Sequence, residues 1–195
     1  MRRGHWLKGN SRVELPSRMI FVDTETKVNP ISSKVDIHTL WFGCAIYIRI
    51  RKEKGREWVH EESFSFNTAI DFWDWIVSKA LPKTKLYVYA HNWNFDAGIL
   101  SLADIPNERG WTCTKYINDK PPFILALRKD HTTITFIDTL NYFQSSLKVL
   151  GESIGLPKLP FPVDTASQEE WAAYNIRDTV IIKEAILAFR SFVRE

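Results

Sequence analysis

The sequence predicts a mixed β-sheet covered by helices, in the α/β or α+β range. Strand-like apolar runs and capped helical segments follow one another along the chain. The 195 residues are 45% hydrophobic and 25% charged, which is typical of a folded protein and argues against a disordered or fibrous chain. This length favours one domain, and the absence of any run of about 18 apolar residues predicts that the chain has no membrane span; no membrane is expected as a partner.

The first part of the chain predicts three strands. The apolar residues 19–22 are typical of a buried strand. Residues 27–37 contain an Asn-Pro and a Ser-Ser pair and indicate a loop. Residues 40–50 and 58–66 are rich in aromatic and β-branched side chains, which favours two strands joined by a turn.

A helix, a strand and a second helix are predicted next. Thr68 and Asp71 are typical of a helix cap, and Pro82 ends this helix. Helical spacing gives it one apolar face, which consists of Ile70, Trp73, Ile76, Val77 and Ala80. Residues 86–90 predict a buried strand and residues 95–103 a helix.

The last part predicts three strands followed by two helices. The strands are at residues 111–117, 123–128 and 132–137. Residues 145–153 predict a helix, and the three prolines within residues 155–164 indicate a loop. Ser167 and Glu170 form a capping box for a final helix that runs to the C-terminus.

Cysteine usage and the N-terminus bear on localisation. Cys44 and Cys113 lie in predicted strands and are expected to be buried free thiols in a reducing compartment. The basic start of the chain has no apolar stretch behind it, so it does not resemble a secretory signal. We therefore expect a cytoplasmic protein.

Positive charge is concentrated in two places. The net charge is +3, but residues 1–17 form a basic arm and residues 49–56 a second basic cluster. Both are explained equally well by solvated surface or by contacts with nucleic acid. Some of the 8 Trp, 6 Tyr and 12 Phe side chains could also stack on bases near a cleft.

Four acidic residues have contexts that indicate a metal site. Asp23 and Glu25 follow a buried strand two residues apart, so they share one face. Asp96 follows a second buried strand, and Asp178 lies four residues after Tyr174 on the final helix. Carboxylates that converge must be protonated or must bind cations, and oxygen-rich sites suit Mg²⁺ or Mn²⁺. Enzymes that hydrolyse phosphodiesters commonly use two such ions bound close together.

Three short motifs resemble those of the DEDD 3′–5′ exonucleases. Residues 23–25 (Asp-Thr-Glu) are similar to the first motif, residues 92–96 (Asn-Trp-Asn-Phe-Asp) to the second, and residues 174–178 (Tyr-Asn-Ile-Arg-Asp) to the third. Tyr174 matches the tyrosine subtype, since Ala173 stands where the histidine subtype has its histidine.

The resemblance extends to the proofreading domain of protein-primed, phage-type family B DNA polymerases. Residues 139–143 are similar to its (S/T)-L-x2-hydrophobic motif, and residues 158–161 loosely match its K-x2-hydrophobic motif. The resemblance covers roughly residues 18–190. It implies a ribonuclease H-like fold of the α/β class, with residues 18–195 forming a single exonuclease domain behind the arm.

The resemblance also implies a role for each matching residue. Asp23, Glu25, Asp96 and Asp178 would hold two divalent ions, Mg²⁺ or Mn²⁺. Tyr174 would orient the attacking water, and Lys158 would neutralise the scissile phosphate. The residues expected to hold the 3′ end of the strand are Thr24, Thr26, His91, Asn92, Phe95, Thr139 and Leu140.

Several alternatives remain at this stage. The implied activity is hydrolysis of single-stranded DNA to 5′-mononucleotides, but an exoribonuclease or a non-catalytic nucleic-acid-binding module of a replication complex would have similar features. The protein would be a stand-alone exonuclease or an excised domain, with a polymerase or other replication protein as a candidate partner. Asp138, a further acid after a strand, is expected to cap the next turn. His5, His38, His60 and His131 lack the spacing of a zinc site.

Overall fold

The computed structural model describes residues 15–32, 35–119, 121–163 and 165–193. The strands in these ranges are β1 (Arg18–Ser32), β2 (Val35–Glu53), β3 (Arg56–Phe66), β4 (Lys85–Ala90), β5 (Thr112–Asn118), β6 (Phe123–Lys129) and β7 (Thr132–Asp138). The helices are α1 (Ala69–Lys79), α2 (Trp93–Ile99), α3 (Asp104–Glu108), α4 (Leu147–Ser153) and α5 (Gln168–Phe192). A 3₁₀ turn follows β7 at Thr139–Asn141.

The strands form one mixed sheet in the order β3-β2-β1-β4-β7-β6-β5. β1, β4 and β7 are parallel, and the other neighbours are antiparallel. The carboxyl ends of the three parallel strands therefore meet at one edge of the sheet. This mixed seven-stranded sheet with flanking helices confirms the predicted α/β class and is consistent with a ribonuclease H-like fold.

Both faces of the central strands are buried. Ile20 and Val22 pack in one hydrophobic core with side chains of α1, whereas Met19 and Phe21 pack in a second core with side chains of α4 and α5. Successive strand residues point to opposite faces, so the two cores lie on opposite sides of the sheet. This double burial explains why residues 19–22 form an unbroken apolar run.

The predicted loop at residues 27–37 is wrong for its described residues, 27–32 and 35–37. β1 and β2 remain paired from Thr26↔Leu40 to Ser32↔Val35 and form a two-stranded ribbon. A ribbon strand has one edge without a partner, so it can accommodate Pro30, which has no N–H to donate. The loop residue types therefore did not prevent strand pairing.

Three smaller predictions are also wrong. The helix predicted at residues 95–103 is α2, which ends at Ile99, because Ser101 adopts a left-handed conformation with φ 49°; the separate helix α3 that follows was not predicted. Ile70 is 56% exposed, since α1 buries Phe72 and Trp75 beside Trp73 and Ile76, which are buried as predicted. Cys44 is buried as predicted, but Cys113 is exposed because β5 is the outermost strand.

The final helix begins as predicted. Ser167 accepts a hydrogen bond from the backbone N–H of Glu170, whose side chain accepts one from the backbone N–H of Ser167. α5 then continues for 25 residues. Neither it nor another helix in the described ranges has the length and apolar character needed to cross a membrane.

The predicted basic arm lies mainly outside the described residues, which begin at residue 15. Its last residues are hydrogen-bonded to the domain. The carbonyl of Ser17 accepts from the backbone N–H of Ile50, and the carbonyl of Pro16 accepts from the guanidinium Nε–H of Arg190. Arg18 already belongs to β1.

We expect Gly43→Ala to destabilise the fold. A Cβ atom at Gly43 would clash with Cζ of the buried Phe66 ring, which also packs on Phe72. Such overpacking typically costs about 1–3 kcal/mol in free energy of unfolding, measurable by urea titration. Gly98→Ala in α2 is the control, because a Cβ there meets nothing within 4 Å. Equal stability of the two variants would contradict the packing described here.

Candidate active site

Three elements carry the predicted acidic residues to one edge of the sheet. Asp23 and Glu25 lie on β1 where it passes beyond its last parallel pair with β4, Phe21↔Tyr89. Asp96 lies in the first turn of α2, directly after β4. Asp178 lies on α5, which packs on β1 and β2.

The structure brings these four carboxylates close enough to perturb one another. Burial raises the pKa of Asp23 well above its usual range, and the charges of Asp96, Asp178 and Glu25 raise it further. Burial and the charge of Asp178 raise the pKa of Glu25 to about 7. Burial also raises the pKa of Asp96 to about 7, against the opposing hydrogen bond from Thr24. The site thus holds more negative charge than it can stabilise alone.

Hydrogen bonds and one ion pair orient the carboxylates. The amide of Asn175 donates to Oδ2 of Asp23 over 2.6 Å, and the hydroxyl of Thr24 donates to Oδ1 of Asp96 over 2.5 Å. Nζ of Lys158 lies 2.6 Å from Oδ2 of Asp178. Each of these partners uses only one oxygen of its carboxylate.

Two buried oxygens in the described structure have no hydrogen-bond partner, Oδ1 of Asp178 and Oδ1 of Asn175. An unpaired buried acceptor is costly, and such an atom calls for an explanation such as a missing ion or water. Within the described ranges, no three Asp, Glu, His or Cys side chains already stand in the arrangement of a metal cage. Asp178 is instead neutralised by Lys158.

Lys158 and Tyr174 lie together beside Asp178. Nζ of Lys158 is 4.9 Å from the centre of the Tyr174 ring. Burial lowers the pKa of Lys158, but hydrogen bonds to Asp178 and Tyr174 outweigh it and leave the pKa above its ordinary value. The ammonium group therefore stays charged next to the acidic residues.

The expected strand-binding residues fall into two groups around the site. On the β1 side, Thr26 is 3.1 Å from Nδ1 of His38, and the His38 ring packs edge-to-face on Phe95, which is 40% exposed. On the β7 side, a cleft is lined by residues that include His91, Asn92 and Leu140. These side chains are accessible to a bound strand.

Thr24 and Thr139 are placed differently from the expected strand contacts. The hydroxyl of the buried Thr24 donates a hydrogen bond to the carboxylate of Asp96. Thr139 is fully buried, and its hydroxyl bonds Nδ1 of His91 over 2.8 Å and the carbonyl of Ala90. Both side chains therefore hold other site residues in place.

Asp138 links the β7 side of the site to α2. It caps the 3₁₀ turn as predicted, by accepting from the N–H of Leu140. Its carboxylate also accepts from the backbone N–H groups of Asn92 and Trp93 over 2.9 and 2.8 Å. Asn92 has a left-handed backbone with φ 75°, so Asp138 fixes the unusual turn that leads to Asp96.

Sequence reasoning missed the positions of Asn175 and His38. Asn175 precedes Asp178 by three residues, a spacing that places both on one helix face and could have indicated its role. His38 lay in the predicted loop, and its place beside Thr26 depends on the ribbon register.

The metal-free protein is expected to become more stable as the pH falls from about 8 to 6. Glu25 and Asp96 have pKa values of about 7 when folded, above their ordinary values near 4. The folded state therefore binds protons that the unfolded chain releases, and the stabilisation is lost as the pH rises through 7. Mg²⁺ or Mn²⁺ should restore it at the higher pH.

Thermal unfolding at both pH values, with and without metal, tests this expectation. Each 1 kcal/mol corresponds to about 2–4 °C in a chain of this length. A melting temperature that does not rise on acidification, or does not respond to metal, would contradict it. The Asp96→Asn variant should show a smaller pH dependence than the wild type.

Comparisons with known proteins agree with this fold. No protein-family model matches the sequence, and no curated protein does. Two solved structures of phi29 DNA polymerase do match. The complex with primer-template DNA and incoming nucleotides has a TM-score of 0.61 and 17% identity over 92% of this chain. The complex with single-stranded DNA has a TM-score of 0.58 and 18% identity over 89% of this chain. The matches cover 32% and 31% of the polymerase chain. The protein thus shares the fold of about a third of a DNA polymerase.

Proposed function

We propose that the protein is a metal-dependent 3′–5′ exonuclease that hydrolyses single-stranded DNA to 5′-mononucleotides. The observation that carries the proposal is the gathering of Asp23, Glu25, Asp96 and Asp178, together with a buried Asp178 oxygen that lacks a partner within the described residues. Burial raises the pKa of all four carboxyl groups, and the charges of neighbouring carboxylates raise it further for the first three. A cluster of this kind is suited to divalent cations.

The donor set fits two Mg²⁺ or Mn²⁺ ions, because four carboxylates supply the hard oxygen ligands that these cations prefer. Asp23, Glu25, Asp96 and Asp178 would hold them. When bound, two such ions activate water for attack on a phosphodiester and stabilise the leaving oxygen.

The chain's own side chains supply binding and orientation. Lys158 would move from Asp178 to the scissile phosphate, whose negative charge its ammonium offsets. Tyr174, beside Lys158, would orient the attacking water through its hydroxyl group. Thr26, Asn92 and Phe95 would hold the terminal nucleotide.

DNA is the favoured substrate. The structures that share the fold include a DNA polymerase bound to single-stranded DNA. The 2′-hydroxyl is the group by which a protein tells RNA from DNA, so matched DNA and RNA oligonucleotides decide between an exodeoxyribonuclease and an exoribonuclease. The same similarity makes a replication complex the setting in which we expect the protein to act.

The test is an incubation with single strands labelled at either end, with Mg²⁺, Mn²⁺ or EDTA. We expect 3′-labelled DNA to release labelled mononucleotide at once and 5′-labelled DNA to give a descending ladder, both only with metal. RNA should be degraded more slowly. Binding without hydrolysis under every metal condition would overturn the proposal and favour a non-catalytic module.

A further inference from the structure

Four aromatic side chains pack on one another beside the carboxylates. Tyr174, Phe161 and Trp171 all contact one another, and Trp41 of β2 packs on Trp171. Phe161 lies 5.7 Å from Tyr174 and 5.1 Å from Trp171, measured between ring centres. Trp171 lies 5.5 Å from Trp41. We call these four residues the aromatic row.

Part of the row faces solvent. Phe161 is 69% exposed, and nearby Val163 is 67% exposed. The Phe161 ring stands nearly perpendicular to both of its neighbours, at 87° to Trp171 and 82° to Tyr174. It therefore projects from the loop before α5 with much of its surface in water, as a ring suited to stack on a flat partner would.

A cation lies at each end of the row. Nζ of Lys27 is 5.1 Å from the centre of the Trp41 ring, and Nζ of Lys158 is 4.9 Å from that of Tyr174. Lys27 comes two residues after Glu25 on β1, so the row runs beside the carboxylate site. Aromatic rings flanked by positive charge match the two components of a single strand, flat bases and anionic phosphates.

We propose that the aromatic row is a stacking platform for the bases that precede the nucleotide being removed. The inference rests on the proposed function, because it extends the same substrate path beyond the terminal nucleotide to the bases next to it. Phe161 is its principal contact, and Lys27 offsets the charge of the backbone phosphates. Stacking is tolerant of sequence, since every base has a flat π-face, which suits an enzyme that removes any nucleotide.

Binding measured in EDTA separates this inference from catalysis, because no hydrolysis can then occur. Fluorescence anisotropy of a labelled oligothymidylate reports the dissociation constant for the wild type and for Phe161→Ala, Phe161→Leu and Phe161→Tyr. Loss of the ring should weaken binding about 10-fold, as expected for one base stack, whereas Phe161→Tyr should bind as the wild type does. Trp58→Ala is the matched control, because Trp58 is 62% exposed on β3, outside the row.

An oligonucleotide with abasic positions tests stacking itself. The wild type should bind it less tightly than the intact strand, and Phe161→Ala should not distinguish the two. If Phe161→Ala binds intact DNA as tightly as the wild type, the platform is overturned, and a protein partner becomes the better occupant. The nuclease proposal would still stand in that case, because it is tested separately by hydrolysis of DNA in Mg²⁺. If instead Phe161→Ala weakens DNA binding but the wild type hydrolyses no DNA in Mg²⁺, the nuclease proposal is overturned and the stacking platform stands.

Discussion

Replacement of Asp178 by Asn is expected to lower the rate of DNA hydrolysis about 1000-fold or more, because a metal ligand contributes several kcal/mol of transition-state stabilisation. The substitution keeps the shape of the side chain but replaces the carboxylate, whose unpaired buried Oδ1 we assign to a metal, with an uncharged amide. Asp23→Asn should have an effect of the same size. Release of labelled mononucleotide from 3′-labelled DNA in Mg²⁺ measures both.

The same variants are expected to fold and to be more stable than the wild type without metal. The charge of Asp178 raises the pKa of both Asp23 and Glu25, so its removal relieves repulsion. Asp104→Asn, at an exposed acid in α3, is the control and should change neither property. A variant at Asp178 or Asp23 that retains wild-type hydrolysis would show that the carboxylates are not the reactive centre.

Loss of the Asp138 carboxylate is expected to destabilise the protein by about 2–4 kcal/mol, because three backbone N–H groups, one of them buried, lose their acceptor. The carboxylate accepts from the backbone of Asn92, Trp93 and Leu140 and is 2% exposed. Asp138→Ala leaves those three donors unpaired, and Asp138→Asn turns a donor toward them. Urea unfolding of both variants measures the loss.

Activity should fall together with stability in these variants, since Asp138 fixes the turn that precedes Asp96. Asp74→Asn provides the comparison, because Asp74 is an exposed acid paired with Arg109 and should cost less than about 1 kcal/mol. If Asp138→Ala is as stable as Asp74→Asn, the three hydrogen bonds do not hold the turn as described.

The fold was predictable where local pattern and burial agree. Residues 19–22 form an apolar run because both faces of β1 are covered, and the strands predicted at residues 40–50 and 58–66 are rich in β-branched and aromatic side chains. The pairing of residues 27–32 with residues 35–39 was not predictable, because Pro30 and the serine that follows two residues later are turn residues by local preference. Pairing with β2 overrides that preference. Whether two segments pair depends on both of them, so the local residue types of one segment do not predict it.

The candidate site was predictable to the extent that acids at strand ends share one edge of the sheet. The supporting contacts were not, because they join residues distant in sequence. Asn175 and Asp23 are separated by 152 positions, and Thr24 and Asp96 by 72. Only the folded chain shows that Thr24 orients a carboxylate where a strand contact was expected.

Anomalous diffraction from crystals grown with Mn²⁺ and a short single strand tests the central claim most directly. We predict two manganese peaks among Asp23, Glu25, Asp96 and Asp178, with Lys158 turned from Asp178 toward a phosphate of the strand. Manganese that is absent from these carboxylates, or bound only elsewhere on the protein, would contradict the account.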